Sequence, residues 1–359
     1  MADVAADGIG SFDLERCHRV DELEQAARAV LSDSVYDYLA GGAGDESSVR
    51  RNREALDRLL FVPRVLRAVD TVDTTTAVLG VDLSMPLLVA PTAVQRIVHA
   101  DGELATARAT AAQGLAMVLS MNSSVSVEDV AAEGVAVLMQ LYVSRDRGHA
   151  RSVVERAIAA GARGIVLTVD QAGLAVRPRE LRRPLEVPAG VEFVHLPPDP
   201  ASRGVDGDLT WDDVDWLREL SSVPIVIKGI LHHDDARIAA EHGVDAIVVS
   251  NHGGRQLESS VSAYDVVGRI SSEVGDRMHV IVDGGIRSGT DVLKALALGA
   301  DAAMIGRPAN WGLAVAGERG LHRVFDIVRD DFEAAMRLCG IASINQIGRA
   351  CVVDSRELM

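Results

Sequence analysis

The chain repeats one pattern eight times: a short apolar run ends in polar residues and is followed by a segment with the spacing of a helix. A strand buried on both faces has this apolar character, so eight successive β-then-α units predict an α/β fold of the (β/α)8, or TIM-barrel, class. A doubly wound open sheet is the alternative. That fold does not require eight units and normally has its phosphate-binding glycines after the first strand, whereas the glycine-rich turns come late here.

The eight apolar runs predict the barrel strands. They are residues 87–91, 117–120, 137–142, 165–170, 225–228, 247–252, 280–283 and 303–307. Helical spacing is clearest in residues 102–113, 148–160, 234–242 and 290–298. Several helical segments close with a glycine, the residue that a left-handed helix cap prefers. These are Gly114, Gly134, Gly161, Gly243 and Gly299.

Length and composition predict one domain over residues 1–359, since a chain with 48% hydrophobic residues can bury a large core and barrels often exceed the usual domain length. We expect the barrel at about residues 85–340, with an N-terminal helical extension over residues 1–60. Two amphipathic helices are predicted there, at residues 20–38 and 46–60, joined by a flexible glycine-rich connection at residues 40–44. A long lid loop, residues 171–209, is expected after the fourth strand.

Charge and composition exclude several classes of function. The net charge of -16 argues against a nucleic-acid partner or an anionic membrane, because an acidic protein repels polyphosphate. No apolar run approaches the ~20 residues that span a bilayer, and no secretory leader is recognised. Three cysteines without CxxC spacing favour a reduced, cytoplasmic setting. We expect no metal site, and we expect the adjacent His232 and His233 side chains to diverge into solvent.

The most informative motif is the run Ser250-Asn251-His252-Gly253-Gly254-Arg255-Gln256-Leu257, which follows the sixth predicted strand. Barrel active sites lie at the carboxyl ends of the strands. There a neutral histidine can accept a proton near pH 7, and an arginine can bind a carboxylate through two hydrogen bonds. His252 and Arg255 therefore predict chemistry beside a carboxylate, and the alternative is a histidine that only caps a strand.

The ends of strands seven and eight predict a phosphate site. They read Asp283-Gly284-Gly285-Ile286-Arg287 and Gly306-Arg307, and barrels commonly bind phosphate at these loops. The structural alternative is a tight glycine turn with Arg287 paired to Asp291. Strand five ends in Lys228, which would be costly to bury without an anionic neighbour, and this cost favours a role beside a ligand.

Small polar residues at the remaining strand ends predict contacts to a polar heterocycle, because donors and acceptors converge at a barrel mouth. They are Thr92, Ser120, Gln140 and Thr168. Ser126 and Ser288 are interpreted as helix caps only.

These residues resemble the FMN-dependent 2-hydroxy acid oxidases and dehydrogenases, a family that includes glycolate, lactate and mandelate-oxidising enzymes. The resemblance extends from Tyr36-Asp37-Tyr38 to the region of Ile347. It rests on the motifs Pro91-Thr92-Ala93, Gln140-Leu141-Tyr142, Thr168-Val169-Asp170, Ile227-Lys228-Gly229, Ser250 to Leu257, Asp283 to Arg287 and Gly306-Arg307-Pro308.

The resemblance implies FMN as cofactor and a role for each matching residue. His252 would be the catalytic base, oriented by Asp170, and Tyr142 would bind the reacting hydroxyl. The substrate carboxylate would lie on Arg255, Arg177 and Tyr38. Lys228 would face the N1/O2 edge of the flavin. The other implied flavin contacts are Pro91, Thr92, Ala93, Ser120, Gln140, Thr168 and Ser250, with the phosphate at Asp283, Gly284, Gly285, Ile286, Arg287, Gly306 and Arg307.

The implied reaction is oxidation of an (S)-2-hydroxy acid to a 2-oxo acid with O2 as acceptor, giving H2O2. A quinone or protein acceptor is the alternative, and a flavin-dependent isomerase or a silent binding module are less favoured classes. The family also leads us to expect a homotetramer. The chain departs from its relatives at Asn122, where an aromatic residue is common, which favours an aromatic or otherwise larger hydroxy acid. The lid, with Arg177 followed by further arginines, is also atypical, and those arginines are interpreted as a solvated or flavin-covering loop.

Overall fold

A computed structural model describes residues 12–143, 146–197, 199, 203 and 207–358. Its strands are β1 (Leu59–Phe61), β2 (Thr76–Val78), β3 (Val81–Leu83), β4 (Leu87–Val89), β5 (Ala116–Leu119), β6 (Ala136–Leu141), β7 (Ile165–Thr168), β8 (Ile225–Ile230), β9 (Ala246–Val249), β10 (His279–Asp283), β11 (Ala302–Ile305) and β12 (Val352–Asp354). Strands β4 to β11 form a closed barrel of parallel neighbours, in which β11 pairs with β4. The predicted barrel and its eight strands are confirmed, with boundaries displaced by a few residues.

Helices follow the barrel strands on the outside. The helices are α1 (Val20–Val30), α2 (Asp33–Ala40), α3 (Ser47–Asp57), α4 (Glu103–Ala112), α5 (Val127–Ala132), α6 (Arg147–Ala159), α7 (Pro178–Arg182), α8 (Trp211–Leu220), α9 (His233–Glu241), α10 (Ala263–Val274), α11 (Gly289–Ala297) and α12 (Arg307–Leu338). Ser126 and Ser288 cap α5 and α11, as predicted, because each side chain accepts a hydrogen bond from the backbone amide three residues on.

The barrel interior is closed at its amino-terminal end. Alternate strand residues such as Leu88, Val118 and Met304 fill the inside, while their neighbours pack against the helices. The β2–β3 hairpin contributes Val78 and Leu83 to the same interior cluster. The carboxyl ends of the strands therefore form the accessible mouth of the barrel.

The N-terminal extension differs from the prediction in two respects. The helix expected over residues 20–38 is two helices, because the chain becomes extended at Leu31 and Ser32 caps α2 by accepting a hydrogen bond from the Val35 amide. The glycine-rich connection is not flexible: Gly41 and Gly42 are buried, and the Ala43 amide donates to the Gly254 carbonyl at 2.9 Å. The extension is thus built into the mouth of the barrel.

The lid loop is described in part, since residues 198, 200–202 and 204–206 of it lie outside the described residues. Its first half carries α7, and its second half is anchored by the buried His195. One further expectation is corrected. His232 and His233 do not diverge, because their rings stack with centroids 4.5 Å apart. Arg179 and Arg183 are partly exposed, as expected of a solvated loop, and they also pair with Glu46 and Asp37 of the N-terminal extension.

Within the described ranges, no helix combines the length and apolar character that a membrane span requires. The same residues contain no cluster of three or more His, Cys, Asp or Glu side chains suited to a metal ion. Cys17, Cys339 and Cys351 are free thiols.

Candidate active site

A cleft with a cavity volume of about 200 Å³ opens at the carboxyl ends of the barrel strands. All the site residues that the sequence predicts line this cleft except Asp170 and Ser250, and both of these contact a residue that does. The structure therefore brings the predicted residues together. Sequence reasoning missed several lining residues, namely Leu39, Ala90, Gln171, Gly253, Met304, Ile305 and Asn310.

His252 and Asp170 form the polar centre of the cleft. The His252 Nδ1 atom lies 2.8 Å from Asp170 Oδ1, so Nδ1 donates and Nε2 is left to accept a proton. Burial lowers the pKa of His252 below its ordinary value, against the opposing effect of the Asp170 carboxylate. Burial alone would raise the pKa of Asp170, but His252 and Lys228 outweigh it and the pKa is lowered. A neutral imidazole beside an ionised carboxylate is a competent base.

The loop after β9 holds His252 in a left-handed conformation. His252 has a φ of 58°, and Gly253 and Gly254 follow with 62° and 76°. The Ser250 hydroxyl accepts the His252 amide at 2.9 Å, and the side-chain amides of Asn251 and Asn52 form two reciprocal hydrogen bonds of 2.8 Å. A non-glycine residue rarely adopts this conformation, so the loop is held by its neighbours.

Lys228 is buried with an anionic neighbour, unlike the expectation. Its Nζ lies 3.3 Å from Asp283 Oδ2 and donates to the Ser250 hydroxyl at 3.0 Å. Burial would lower the pKa of Lys228, but Asp283 and Asp170 outweigh it and raise the pKa. Asp283 therefore neutralises Lys228 and is not, by its charge, a phosphate ligand.

Several buried polar atoms at the cleft have no hydrogen-bond partner among the described residues. They are Gln140 Nε2, Thr168 Oγ1 and Asp283 Oδ1. Gln140 is held from behind, because its Oε1 accepts the Met121 amide at 3.1 Å. A buried donor or acceptor left without a partner is costly. These atoms therefore fit a bound ligand with polar edges, such as a flavin ring and its ribityl chain.

Arg287 and Arg307 provide positive charge at one end of the cleft. Burial and the nearby Arg255 and Arg287 lower the pKa of Arg307 to about 9. Such a shift is expected where buried cations lie close together, and a bound anion would relieve it. The alternative pairing of Arg287 with Asp291 is not found for its side chain: Asp291 accepts the Arg287 amide, and its salt bridge is to Arg53 at 2.6 Å. The arrangement fits the phosphate of FMN.

Two glycines at this end allow a left-handed backbone and a close approach to α3. Gly284 and Gly285 have φ of 90° and 82°, and a side chain at Gly285 would meet the Asn52 carbonyl at 3.0 Å. The turn therefore packs closely against α3, as the structural alternative proposed.

Arg307 also forms hydrogen bonds within the protein, since its guanidinium donates to the carbonyls of Leu39, Gly41 and Gly253.

Arg255 and Arg177 lie at the other end, beneath the lid. The Arg255 guanidinium donates to the Tyr38 and Gly41 carbonyls and lies over the Tyr38 ring at 5.1 Å. Arg177 Nε donates to the Arg255 carbonyl at 2.9 Å. Burial lowers the pKa of Arg255, which the Tyr38 side chain opposes. Two adjacent, partly buried guanidinium groups suit a carboxylate ligand.

Tyr142 and Asn122 line the same cleft as this arginine pair. Burial, and then the Asp170 charge, raise the pKa of Tyr142, so its hydroxyl remains protonated and able to donate. Asn122 is half-buried, and its carbonyl accepts the Val94 amide at 2.8 Å. The next residue, Ser123, bonds the lid through His195 Nδ1 at 2.9 Å.

The residues that the sequence reasoning missed carry weak signals. Gln171 directly follows Asp170, and Leu39 follows Tyr38, so both could have been included by adjacency. Asn310 lies in the first turn of α12, where its side-chain oxygen is 3.4 Å from the Thr92 hydroxyl. Glu180, which bonds both arginines of the lid end, has no recognisable pattern in the sequence.

Comparison with known proteins agrees with this geometry. Residues 27–354 match the sequence profile of a family described as FMN-dependent dehydrogenase. An L-lactate oxidase of Nostoc sp. is 43% identical over 347 residues, which cover 91% of this chain and 95% of the relative. 2-Hydroxyacid oxidase 1 of Mus musculus is 41% identical over 359 residues, or 94% of this chain and 97% of that protein.

Solved structures give the same result. The crystal structure of mandelate oxidase with benzoyl-formic acid superposes with a TM-score of 0.89 at 40% identity, covering 94% of this chain and 98% of that one. The structure of mandelate oxidase with (S)-2-phenylpropionate has the same TM-score, identity and coverage.

Proposed function

From the premise that this chain belongs to the FMN-dependent dehydrogenase family, and so catalyses FMN-dependent oxidation of a 2-hydroxy acid, we propose a substrate and an acceptor. The substrate is an (S)-2-hydroxy acid larger than glycolate, with an aromatic side chain favoured. The acceptor is O2, which yields H2O2 and the 2-oxo acid. The observation that carries the substrate proposal is the position of Asn122 in the lining of the cleft.

The cofactor would occupy the barrel mouth between two groups of charges. FMN supplies the two-electron acceptor of the reaction when bound. Arg287 and Arg307 would hold its phosphate. Gln140 Nε2 and Thr168 Oγ1 have no hydrogen-bond partner among the described residues, which supports their assignment as contacts to the polar edges of the flavin. Lys228, with its charge maintained by Asp283, would lie against the edge of the ring that gains negative charge.

The remaining residues bind and deprotonate the substrate. Arg255, Arg177 and Tyr38 hold the carboxylate, and the Tyr142 hydroxyl donates to the reacting oxygen. His252 Nε2 accepts the proton that the substrate loses on oxidation. Asp170, 2.8 Å from Nδ1, keeps Nε2 free to accept and stabilises the imidazolium that forms.

The acceptor follows from the relatives. Several are named as oxidases, including the L-lactate oxidase and 2-hydroxyacid oxidase 1. Oxidases use O2, which supports the same acceptor for this chain. A quinone or protein acceptor remains the alternative, and measurement of H2O2 per substrate oxidised distinguishes them.

Substrate size follows from the chain itself, because the relatives differ in the acids that they are named for. Asn122 is a small polar residue that lines the same cleft as the arginine pair, and it occupies less space there than an aromatic residue would.

The experiment is anaerobic reduction of the purified yellow protein by a panel of (S)-2-hydroxy acids: mandelate, lactate and glycolate. We expect the acids to bleach the visible flavin band at different rates. The ratio of the rate constant of flavin reduction to the dissociation constant of the acid should be largest for mandelate. His252→Asn is the matched control, since Asn tolerates the left-handed backbone of residue 252. It should keep the colour and slow bleaching by roughly 10²- to 10⁴-fold. Bleaching by none of the acids would refute the activity, and a preference for glycolate would refute the substrate size.

A further inference from the structure

Glu180 stands behind the two arginines of the substrate end. Its Oε1 lies 3.0 Å from Arg255 Nη2, and its Oε2 lies 3.5 Å from Arg177 Nη1. Both arginines line the cleft, whereas Glu180 does not. The carboxylate therefore reaches the pair from the lid side and leaves their cleft side to a ligand.

The helix that carries Glu180 is fastened to the N-terminal extension. Arg179 pairs with Glu46 at 2.6 Å, and Arg183 pairs with Asp37 at 3.1 Å. The Gly44 amide also donates to the Val176 carbonyl at 3.0 Å, just before α7. These contacts hold Glu180 in place, so it is a stationary counter-charge rather than a plug that a substrate displaces.

The charges of the substrate end balance in a specific way. Arg177 and Arg255 carry two positive charges, of which Glu180 offsets one, so the pair together with Glu180 has the net charge that one carboxylate matches. Asp170 faces His252, and Lys228 and Asp283 offset each other. Transfer of the substrate's proton to His252 moves charge within the site and leaves the total unchanged. A second substrate carboxylate would therefore leave an excess negative charge in a partly buried site, where it is less screened than in water.

We propose that Glu180 is a specificity-determining residue that adapts the arginine pair to a single carboxylate. The enzyme accordingly accepts 2-hydroxy monocarboxylates and rejects 2-hydroxy acids whose side chain bears a second carboxylate. This inference rests on the proposed function, because it requires that Arg177 and Arg255 bind the substrate carboxylate. Without Glu180 the pair would carry an additional net positive charge and would accept dianions.

The test measures binding without turnover in the FMN-loaded protein. Butyrate and succinate lack the 2-hydroxyl group and therefore bind without being oxidised. They differ only in that succinate has a carboxylate where butyrate has a methyl group. The change in flavin absorbance on binding gives the dissociation constant of each acid. We expect the wild type to favour butyrate. Glu180→Gln should shift the ratio of the two constants toward succinate by roughly 10-fold or more, since a like charge has been removed from a buried anion site.

Two control variants separate charge from lid structure. Glu186→Gln removes the same charge from an exposed part of the lid and should leave the ratio unchanged. Glu180→Asp keeps the charge and should retain the preference for butyrate. An unchanged ratio in Glu180→Gln, or an equal change for both acids, would overturn the proposal and leave Glu180 a lid contact only.

Failure of the proposed function gives a different result from failure of this inference. If no 2-hydroxy acid reduces the wild-type flavin while butyrate binds and the Glu180→Gln ratio shifts, the activity is wrong and the selectivity stands. If the hydroxy acids reduce the flavin and the ratio does not shift, the inference alone is wrong. If neither acid binds to the wild type, the carboxylate site lies elsewhere and the inference fails with it.

Discussion

His252 donates from Nδ1 to Asp170 Oδ1 at 2.8 Å, although 82 residues separate them in the chain and they follow different barrel strands. This contact selects the imidazole tautomer whose Nε2 can accept a proton. It also places a negative charge where the imidazolium develops, so it lowers the barrier to proton transfer. Asp170 Oδ2 has no hydrogen-bond partner among the described residues, which keeps that charge available to the site.

Asp170→Asn should slow flavin reduction by roughly 10²- to 10⁴-fold and change its pH dependence. His252 is active as the neutral base, so kcat/KM is full above its pKa and falls as the pH drops through it. Burial holds that pKa below the ordinary value, and Asp170 opposes the effect. Removal of the carboxylate lowers the pKa further, so the acid limb of kcat/KM should move to lower pH. A limb that stays in place or moves to higher pH would show that another group controls it.

Arg287→Ala should weaken retention of FMN. The Arg287 side chain donates within the protein to the carbonyl of the adjacent Ile286, so its charge is available to a phosphate. A charge-assisted contact contributes roughly 1.5–3 kcal/mol, which corresponds to about a 10- to 150-fold weaker dissociation constant. Fluorescence of FMN released on dilution measures it.

Arg307→Ala is the informative comparison for Arg287→Ala. Arg307 donates to three backbone carbonyls of the barrel mouth, so this variant should lose thermal stability as well as FMN. Equal retention of FMN in Arg287→Ala and the wild type would place the phosphate elsewhere.

The fold and the polar residues at the strand ends could be predicted from short-range patterns, whereas Tyr38, Arg177 and Asp170 were implied only by the resemblance to a known family. An apolar run predicts each barrel strand, and the residue after each strand lies at the carboxyl-terminal end of the barrel, where the cleft opens. Asp283 was placed in the site correctly, yet its partner was not predicted. Whether it faces a phosphate or Lys228 depends on the side-chain positions of two strands, which no local pattern contains.

Contacts between distant segments escaped the sequence reasoning for the same reason. The pairing of Asn52 with Asn251 joins α3 to the His252 loop across 199 residues. The break between α1 and α2 at Leu31 could not be predicted, because the residues on both sides keep helical periodicity. Only the Ser32 cap marks the start of the second helix. Glu180 was passed over because a single acidic residue in a charged lid has no distinguishing spacing.

His195 should make the stability of the protein depend on pH. It is 1% exposed, and its Nε2 accepts the Val127 amide at 3.0 Å while Nδ1 lies 2.9 Å from the Ser123 hydroxyl. Burial, and then the Arg156 charge, lower its pKa to about 4. An unfolded histidine has a pKa of about 6.5, so the unfolded state binds more protons between these values. The stabilisation is therefore complete above pH ~6.5 and is lost as the pH falls toward ~4.

The effect has an upper bound of about 3 kcal/mol for a shift of this size. Thermal unfolding of the FMN-loaded protein and of His195→Asn, each at pH 7.5 and pH 5, measures it. The variant should be less stable at pH 7.5 and should lose less on acidification, because the difference between the two proteins cancels the carboxylates that also titrate. Parallel losses in both proteins would show that His195 is protonated without cost to the lid.

Asn122→Trp should discriminate against large substrates. Asn122 lines the cleft, and its backbone is held by the Val94 amide and by the Ser120 hydroxyl, so a larger side chain cannot move away together with the loop. Inserting bulk into an occupied site costs roughly 1–3 kcal/mol, or about a 5- to 150-fold loss. The loss should fall on mandelate, whereas lactate should be spared because its methyl group does not reach the ring.

The ratio of kcat/KM for mandelate and lactate measures this effect, since general damage to the enzyme divides out. Asn122→Ala is the matched control: it removes the polar group without adding bulk and should preserve the preference for mandelate. Equal losses on both acids in Asn122→Trp would mean that residue 122 does not contact the substrate side chain. The space that Asn122 leaves would then serve the cofactor or the lid, and the argument for a larger hydroxy acid would lose its support.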